Sequence, residues 1–492
     1  MAIFNFSVGR SLRDLPGRGA ATYEQHGDKA GLLVTDELEK AIEDCKRRVV
    51  EVSKQCRAAN CKFRDPEFDI ENHRSLCLNT LTGSQIDTPA DIQRITQIFD
   101  NPRFFADGEH ASSGDIVQGR LGDCWFLASL ITCSTMPGLV ERFCVARDEL
   151  VGVYGFIFFH DNAWETVVVD DLLYTEMPRY EQLDPEDRRK LFFNNKSAYN
   201  KSRKSGKSLF FARSGEQGES WVPLVEKAYA KLHGDYKSLE GGYTREGVED
   251  LTGGVSVYLS IKDILDVDRF WNEEFLFAAK DRVFSSSLNI EFANEKNDFD
   301  TESGLVSNHA YAILRAIEIK GKRFVVLRNP WGETEWKGAW SDGSKEWTKE
   351  WVEVLPELKH VFGNDGQFVM EYKDWLENFD YVERTLILDS SWVMSSQWLN
   401  VNTRPLYSAW SYGDVSFTFN VKEATDAIIV LAELDSRYFT DLKGPISWSF
   451  DFMLFKKGEL EPVGKSSEAW PLARSTSLET KLLAGDYVVH VS

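Results

Sequence analysis

Cysteine is scarce and is confined to the first third of the chain. The 492 residues hold seven cysteines, and none of them follows Cys144. The number is odd, and a disulfide-stapled secreted protein would spread its cysteines more evenly. Cys56 and Cys61 lack the paired spacing of a zinc site. The sequence therefore predicts a reducing compartment, and we expect a cytoplasmic protein.

Positive charge and long apolar runs are also in short supply. Lys and Arg total 57 against 78 Asp and Glu, which leaves a net charge of −21. A nucleic-acid-binding protein would show a basic face, so we expect no nucleic-acid partner. No apolar run reaches the roughly 18 residues of a membrane span, and the start of the chain lacks signal-peptide order. Neither a transmembrane segment nor a signal peptide is expected.

The segment from Asp115 to Leu130 carries the first chemical signal. A polar loop with two glycines leads to Cys124, and an apolar run from Trp125 follows. This pattern predicts a thiol at the N-terminus of a buried helix, where the backbone N–H groups and the helix dipole lower its pKa. Gln118 lies six residues earlier, where its amide could stabilise an oxyanion. A cysteine in this position is more often an inert core thiol, so the interpretation depends on the rest of the chain.

Two later segments supply partners for the thiol. His309 begins an apolar run that is typical of a strand, and Asn329 ends another and precedes a Pro-Trp-Gly turn. Successive strands can bring the two side chains together. Cysteine as nucleophile, histidine as base and asparagine as the group that orients the imidazole form the triad of a cysteine protease. Singly, His309 could be a core histidine and Asn329 a turn former, but their joint occurrence favours the triad.

Three segments together resemble a known family. Gln118–Trp125, Gly304–Tyr311 and Arg328–Glu333 are similar to the three active-site blocks of the calpains, which are calcium-dependent, papain-like cysteine proteases. The resemblance is strong from about residue 63 to residue 389 and weak beyond. It implies that Cys124 attacks the peptide carbonyl of protein substrates and that His309 transfers the proton. It also implies that Gln118 and the Cys124 N–H stabilise the oxyanion.

The fold class expected from this resemblance is α+β, a two-lobe papain-like core followed by an antiparallel β-sandwich. We predict a flexible N-terminal segment and an anchor helix in residues 1–62, with the helix over 35–57. The first lobe, with the cysteine, would span 63–243 and the second lobe 244–389. Alternating apolar segments in 390–492 predict the sandwich, and the resemblance implies that it is C2-like. The chain ends in a strand-like pattern, which indicates either a domain without its final strand or a truncated gene product.

One basic segment stands apart from the family pattern. Residues 181–207 are polar and rich in Lys and Arg, and they look like an insertion. We interpret them as a solvated surface loop, with a docking site for anions as the alternative.

Calcium is the cofactor that the resemblance implies, with one ion in each lobe to align the lobes. The first-lobe ligands would be Asp115 and Glu219, with backbone carbonyls around Gly108 and His110. Those of the second lobe would be Glu335, Asp342 and Asp365. Carboxylate and carbonyl oxygens suit calcium, although any one of these acids could simply be a surface charge.

Two residues depart from the family pattern for these calcium sites. Gln367 stands where the family usually has Glu, and Ser113 where it often has an Arg that pairs with that Glu across the lobes. We therefore expect weaker calcium binding at the second lobe and different lobe coupling, either with a lobe-aligning contact from elsewhere or with reduced calcium dependence. Trp331 is expected by resemblance to wedge between the lobes without calcium and to shield the catalytic pair with it.

An EF-hand is not recognisable in the chain. The nearest candidate starts at Asp298, has Ser303 instead of Gly at its sixth position, and has His309 instead of Glu at its twelfth. We accordingly expect no small EF-hand subunit as a partner. Two rival functions stay open: a calpain-shaped binding scaffold with vestigial catalysis, and an active protease that ignores calcium.

Overall fold

The computed structural model describes residues 2–4, 31–33, 35–79, 81, 88–106, 110–288, 303–401, 414–439, 449–467 and 473–491. Helices and antiparallel sheets share the chain, so the predicted mixture of helix and sheet is confirmed. Within the described residues, no helix is both long enough and apolar enough to cross a membrane.

The names first lobe and second lobe are kept below for the predicted ranges 63–243 and 244–389. The N-terminal part and the first of these ranges contain short sheets packed around helices. Their elements are β1 (Ala2–Phe4), α1 (Asp36–Ala59), α2 (Arg74–Leu78), β2 (Asp91–Arg94), α3 (Ile95–Ile98), β3 (Ile116–Val117), α4 (Cys124–Ser134), α5 (Leu139–Phe143), β4 (Ala146–Asp148), β5 (Val153–His160), β6 (Ala163–Asp170), β7 (Leu172–Thr175), α6 (Pro185–Phe192), α7 (Lys196–Ser202), β8 (Arg213–Ser214) and α8 (Trp221–Leu232).

Helix α1 forms where the apolar spacing predicts it. The Thr35 hydroxyl caps its start by accepting from the N–H groups of Glu37 and Leu38, both at 3.2 Å, and Asn60 ends it in a left-handed conformation. The buried side chains of Cys45 and Val49 face the sheet of β4, β5 and β6. The helix is thus anchored on the first lobe.

Helix α4 lies at the centre of the first lobe and carries Cys124 at its first position. Residues 125–133 are all buried, so this helix is apolar on every side, as expected of a central helix. Phe126 stacks on Tyr229 of α8 with ring centroids 3.9 Å apart, and Ser129 donates to the carbonyl of Thr244 at 2.9 Å. This packing holds the N-terminal end of α4 in a defined place.

The second lobe is built on one six-stranded antiparallel sheet, in the order β13-β12-β11-β10-β14-β9. Its elements are α9 (Thr244–Thr252), β9 (Val255–Ser260), α10 (Val267–Glu273), β10 (Arg282–Leu288), β11 (His309–Ile319), β12 (Lys322–Arg328), α11 (Lys349–Val352), α12 (Leu355–Leu358), β13 (Gln367–Glu371), α13 (Tyr372–Asn378) and β14 (Tyr381–Leu386). Strands β11 and β12 form a hairpin, which brings the end of β12 back to the start of β11. The start of β11 packs against α4 of the first lobe.

The C-terminal part consists of antiparallel strands around a separate apolar core. The strands are β15 (Leu399–Val401), β16 (Val415–Val421), β17 (Thr425–Ala432), β18 (Phe452–Lys456), β19 (Pro462–Lys465), β20 (Ser475–Leu482) and β21 (Gly485–Val491). One sheet has the order β16-β21-β18-β19, and β17 pairs with β20. Phe417, Ile429 and Phe452 are among the buried residues between them. The strands lie close to those predicted, while a C2-like identity stays a prediction.

Two predictions need correction. Within the N-terminal segment expected to be flexible, residues 2–4 pair with 399–401 as an antiparallel strand, and the remainder up to residue 30 lies outside the described residues. The basic segment 181–207 is not a loop. It forms α6 and α7, because Asp184 caps a helix that begins with Pro185 and Tyr199 of α7 is buried.

Many charges of this segment are already matched within the protein. Arg203 is 6% exposed and pairs with Asp91, Lys196 pairs with Glu181, and Lys204 pairs with Asp100. These contacts leave less free positive charge for an anionic partner than the composition alone indicates.

Candidate active site and cation sites

The thiol of Cys124 lies at the start of α4, half-buried, against the backbone of β11. The Ala310 N–H and the N–H groups at the start of α4 favour the thiolate. Burial outweighs them and raises the pKa of Cys124 to about 11. The expectation of a lowered pKa is therefore wrong for this arrangement, because burial destabilises the thiolate more than the N–H groups at the start of the helix stabilise it.

His309 and Asn329 lie side by side, as the strand pattern predicts. His309 Nε2 is 2.7 Å from Asn329 Oδ1, and both side chains are buried. Asn329 is held in turn by donating from Nδ2 to the carbonyl of Thr334 at 3.0 Å. With Nε2 committed to Asn329, Nδ1 is the nitrogen that can exchange a proton with a nucleophile. Burial lowers the pKa of His309 to about 4, against the opposing effect of the Asn329 hydrogen bond.

The protonation states follow from these two shifts. At neutral pH a thiol with a pKa near 11 and an imidazole with a pKa near 4 are both uncharged. A thiolate–imidazolium pair would need stabilisation that this arrangement does not provide. His309 and Asn329 are thus in contact, and the thiol and the imidazole are both uncharged in this structure.

Gln118 and Trp331 border the triad from the two lobes. Gln118 Nε2 donates to the carbonyl of Leu121 at 2.7 Å, so its amide is engaged within its own loop. The Gln118 N–H donates to the carbonyl of Pro330 in the second lobe at 2.9 Å. The Trp331 ring lies 4.6 Å from the His309 ring, and the backbone N–H of Trp331 donates to Asn329 Oδ1 at 3.0 Å. Trp331 therefore covers the histidine.

The first-lobe acids form a buried pair. Asp115 is 7% exposed and Glu219 is 1% exposed. Burial and mutual repulsion raise the pKa of Glu219 to about 7, and burial raises that of Asp115 to about 6. Glu219 accepts from the N–H of Ala106 at 2.8 Å. Gly108 lies outside the described residues, and the exposed ring of His110 is 3.3 Å from Glu141.

The second-lobe acids meet around the loops that precede β13. Glu335 accepts from the N–H groups of Asp365 and Gly366, at 2.9 and 2.8 Å. Burial raises the pKa of Glu335, and repulsion from Asp342 and Asp365 adds to it. The three predicted acids therefore do lie together. Their oxygens are hard donors of the kind that calcium prefers.

Gln367 is tied to this second group through His360. Gln367 Nε2 is 3.1 Å from His360 Nδ1, and His360 Nε2 is 2.6 Å from Asp342 Oδ1. The Gln367 amide also donates to the carbonyl of Lys359 at 3.0 Å. One of the three acids is thus already hydrogen bonded to a buried imidazole, which the sequence did not indicate.

Comparison with known proteins assigns the family. The sequence model of the calpain family cysteine protease matches residues 63–385, which contain all the triad and acid residues above.

The chain belongs to the calpain family.

Individual calpains agree with this assignment. Calpain-A of Drosophila melanogaster is 33% identical over 341 residues, covering 67% of this chain and 36% of its own length. The calpain-1 catalytic subunit of Bos taurus is 32% identical over 336 residues, covering 66% of this chain and 41% of its own. The calpain-type cysteine protease ADL1 of Oryza sativa subsp. japonica is 31% identical over 377 residues, with 72% and 16% covered. The chain spans less than half the length of these calpains.

One residue that joins the lobes of this calpain was missed from the sequence. Arg328 ends β12, is 3% exposed, and donates to the carbonyls of Gly114 and Ile116 in the first lobe, at 2.9 and 3.3 Å. These carbonyls flank Asp115. A buried arginine at the end of an apolar strand was the available signal, since such a residue requires partners. Arg328 thus hydrogen bonds the end of β12 to the segment around Asp115 in a chain that has Ser113 and Gln367.

Proposed function

We propose that this chain is a calcium-regulated cysteine endopeptidase that cuts protein substrates at limited sites. The supporting observation is the 2.7 Å contact between His309 Nε2 and Asn329 Oδ1, next to the backbone that touches Cys124. In this proposal residues 63–243 and 244–389 are the two lobes, and 390–492 is a C2-like domain. The seven cysteines are free, which supports a reducing, cytoplasmic location.

Three residues divide the chemistry between them. The Cys124 sulfur attacks the peptide carbonyl while its proton passes to Nδ1 of His309. The proton then passes to the leaving amine, the C–N bond breaks, and a thioester remains. Water, deprotonated by His309, hydrolyses the thioester and restores the thiol. Asn329 holds the imidazole with Nε2–H toward itself throughout.

The oxyanion of the reaction needs hydrogen-bond donors, and in the present arrangement the Gln118 amide is bonded to another group. The Cys124 N–H at the start of α4 is one donor. Gln118 is the second in this proposal, and it must exchange its bond to Leu121 for one to the oxyanion. Trp331 must leave room for an extended substrate beside His309. The raised pKa of the thiol belongs to a resting state. In this proposal the movements of Gln118 and Trp331 lower it.

Calcium suits the two acid clusters chemically. Asp115 and Glu219 would hold one ion, because their desolvated carboxylates repel each other. The second ion would be held by the other cluster, Glu335, Asp342 and Asp365. A bound cation supplies the positive charge that each cluster lacks. Arg328 lies between the first cluster and Asn329, so a shift of its contacts would reach the triad.

Cleavage of an unstructured protein by the full chain tests the proposal, in millimolar calcium and in chelator. We expect calcium-dependent cleavage that falls by at least about 10³-fold in Cys124→Ala. Cys61→Ala, which removes an exposed thiol, is the matched control and should keep full activity.

Other outcomes identify the rival functions. Equal cleavage in chelator, abolished by Cys124→Ala, would retain the triad and reject calcium regulation. Absence of cleavage in both conditions by well-folded protein would reject the enzyme and favour the binding scaffold. A Cys61→Ala variant as inactive as Cys124→Ala would show that loss of a thiol acts through folding.

A further inference from the structure

Two buried histidines and an aspartate meet where the first lobe touches the C-terminal strands. His160 ends β5, His233 directly follows α8, and Asp435 follows β17. Their side chains are 2%, 0% and 4% exposed. One potential ligand atom from each lies within 4.8 Å of the others, and this is the one such group of three among the described residues. None of the three takes part in the proposed proteolysis.

The distances are those of groups around a shared centre. Asp435 Oδ2 lies 3.9 Å from His160 Nε2 and 3.7 Å from His233 Nδ1, which is beyond hydrogen-bond length. With zinc–nitrogen and zinc–oxygen bonds of about 2.0–2.2 Å, ligand atoms of a tetrahedral site are about 3.4 Å apart. The two distances to Asp435 exceed this spacing by a few tenths of an ångström, and the imidazole nitrogens lie within 4.8 Å of each other, so a modest approach of the three side chains would bring them onto one ion. The other oxygen, Asp435 Oδ1, accepts from the Arg437 N–H at 2.8 Å, which fixes the carboxylate.

Negative charge exceeds the positive charge nearby. Arg474 contacts Glu249 at 2.9 Å and Asp250 at 2.7 Å. Its distance to Asp435 is longer, 3.5 Å. The Arg474 guanidinium thus lies near three carboxylates, while the guanidinium of Arg437 pairs with Glu246. A divalent cation among the two imidazoles and Asp435 would offset this excess.

A cavity of about 80 Å³ lies beside the cluster. It is lined in part by Asp161, Glu249, Asp250 and Arg474, and none of the three proposed ligand residues lines it. The donor set of two nitrogens and one carboxylate oxygen is typical of zinc, whereas calcium takes oxygen ligands.

We propose that His160, His233 and Asp435 bind one zinc ion that clamps the C-terminal strands to the first lobe. The ligands come from the ends of β5 and α8 on one side and from the segment after β17 on the other. Binding therefore stabilises the contact between these two parts of the chain. This site is separate from the catalytic cysteine and from both candidate calcium clusters.

Cobalt spectroscopy on the full chain tests the site. Cys124→Ala is the parent, so that the catalytic thiol cannot compete for metal. After removal of metal with a chelator, we expect one equivalent of Co²⁺ to give the visible absorption of a tetrahedral nitrogen–oxygen site without a thiolate band. One equivalent of Zn²⁺ should remove this absorption, millimolar Ca²⁺ should not, and Zn²⁺ should raise the thermal unfolding temperature.

Variants then locate the ion. Asp435→Asn and His233→Gln should each weaken Co²⁺ binding by at least about 100-fold, as loss of a ligand exceeds the 10–100-fold cost of losing an outer-shell partner. His73→Ala, which changes an exposed histidine, should bind as the parent does. Far-UV circular dichroism checks folding, and His160→Gln gives a further test from β5.

Several results would overturn the proposal. The folded parent showing no tetrahedral cobalt spectrum would mean that water or a protonated histidine occupies the cluster. A spectrum that survives in Asp435→Asn and His233→Gln would place the metal elsewhere. A spectrum lost only on His309→Ala would place it at the catalytic histidine.

Discussion

The two acid clusters of this calpain differ in how far their carboxylates are already satisfied. In the first lobe, Asp115 and Glu219 come from segments about 100 residues apart and are almost closed to solvent. Burial raises both pKa values, to about 6 and about 7. In the second lobe the acids are half-buried or exposed. Backbone N–H groups bind Glu335, and His360 binds Asp342.

The two clusters therefore differ in how strongly a bound cation would stabilise them. A desolvated pair of like charges is costly without a counterion, so a bound cation relieves both desolvation and repulsion. Acids that already accept hydrogen bonds and face water have less to gain. We therefore expect the first lobe to dominate the calcium response, and the second lobe to tune it.

Removing one acid of the buried pair should have the largest effect. Glu219→Gln is expected to raise the calcium needed for half-activation by at least about 100-fold, since it removes one of two charged ligands. It should also abolish most of the calcium-induced rise in unfolding temperature. Glu39→Gln, on the exposed face of α1, is the control and should leave both unchanged. Equal responses of the two variants would reject Glu219 as a ligand.

Removing the contact between the lobes should have the second-largest effect. Arg328→Met removes charged hydrogen bonds to Gly114 and Ile116, each worth about 1.5–3 kcal/mol. We expect activity at saturating calcium to fall by about 10–100-fold, measured as initial cleavage rates, while calcium still raises the unfolding temperature. Arg315→Met on β11 is the matched control. A loss of the thermal response as well would mean that Arg328 acts on calcium binding itself.

A change in the second cluster should have a smaller effect than either. Asp342→Asn is expected to raise half-activating calcium about tenfold, because two further acids remain there and because Asp342 already accepts a hydrogen bond from His360. Calcium titration of cleavage rates measures it. A loss as large as that of Glu219→Gln would remove the distinction between the clusters.

Restoring the family's acid should give the smallest change. Gln367→Glu adds a charge to the second cluster but forfeits the hydrogen bond to the Lys359 carbonyl, so we expect half-activating calcium to fall only about threefold. Gln397→Glu, far along the chain in an exposed stretch, controls for added charge. Unchanged half-activation would show that position 367 does not contribute to the site.

The sequence anticipated the parts of the site that depend on local patterns. Cys124 before an apolar run, and His309 and Asn329 at strand ends, lie where the spacing predicts. Strand β16 forms within the stretch 390–492 where alternating apolar residues predict strands, because alternation along a half-buried strand is a local property. Helices α6 and α7 were missed because the polar composition of 181–207 outweighed a readable cap, Asp184 before Pro185.

The remaining features depend on residues far apart in the chain. The bond of Arg328 to the loop around Asp115, and the His360 link between Gln367 and Asp342, join positions that no local pattern relates. The pKa of Cys124 was also beyond prediction. The helix start that lowers it is visible in the sequence, whereas the burial that raises it comes from packing against β11.

The sequence by itself determined the family, the candidate triad residues, and the helices and strands that carry them. Apolar periodicity, helix caps and motif order depend on residues that are close in sequence, so the sequence alone is enough to predict them. Tertiary structure alone decided which charges are buried, which acids face one another, and that His160, His233 and Asp435 converge. Desolvation and Coulomb energies depend on the distances and the surrounding medium, and folding sets both.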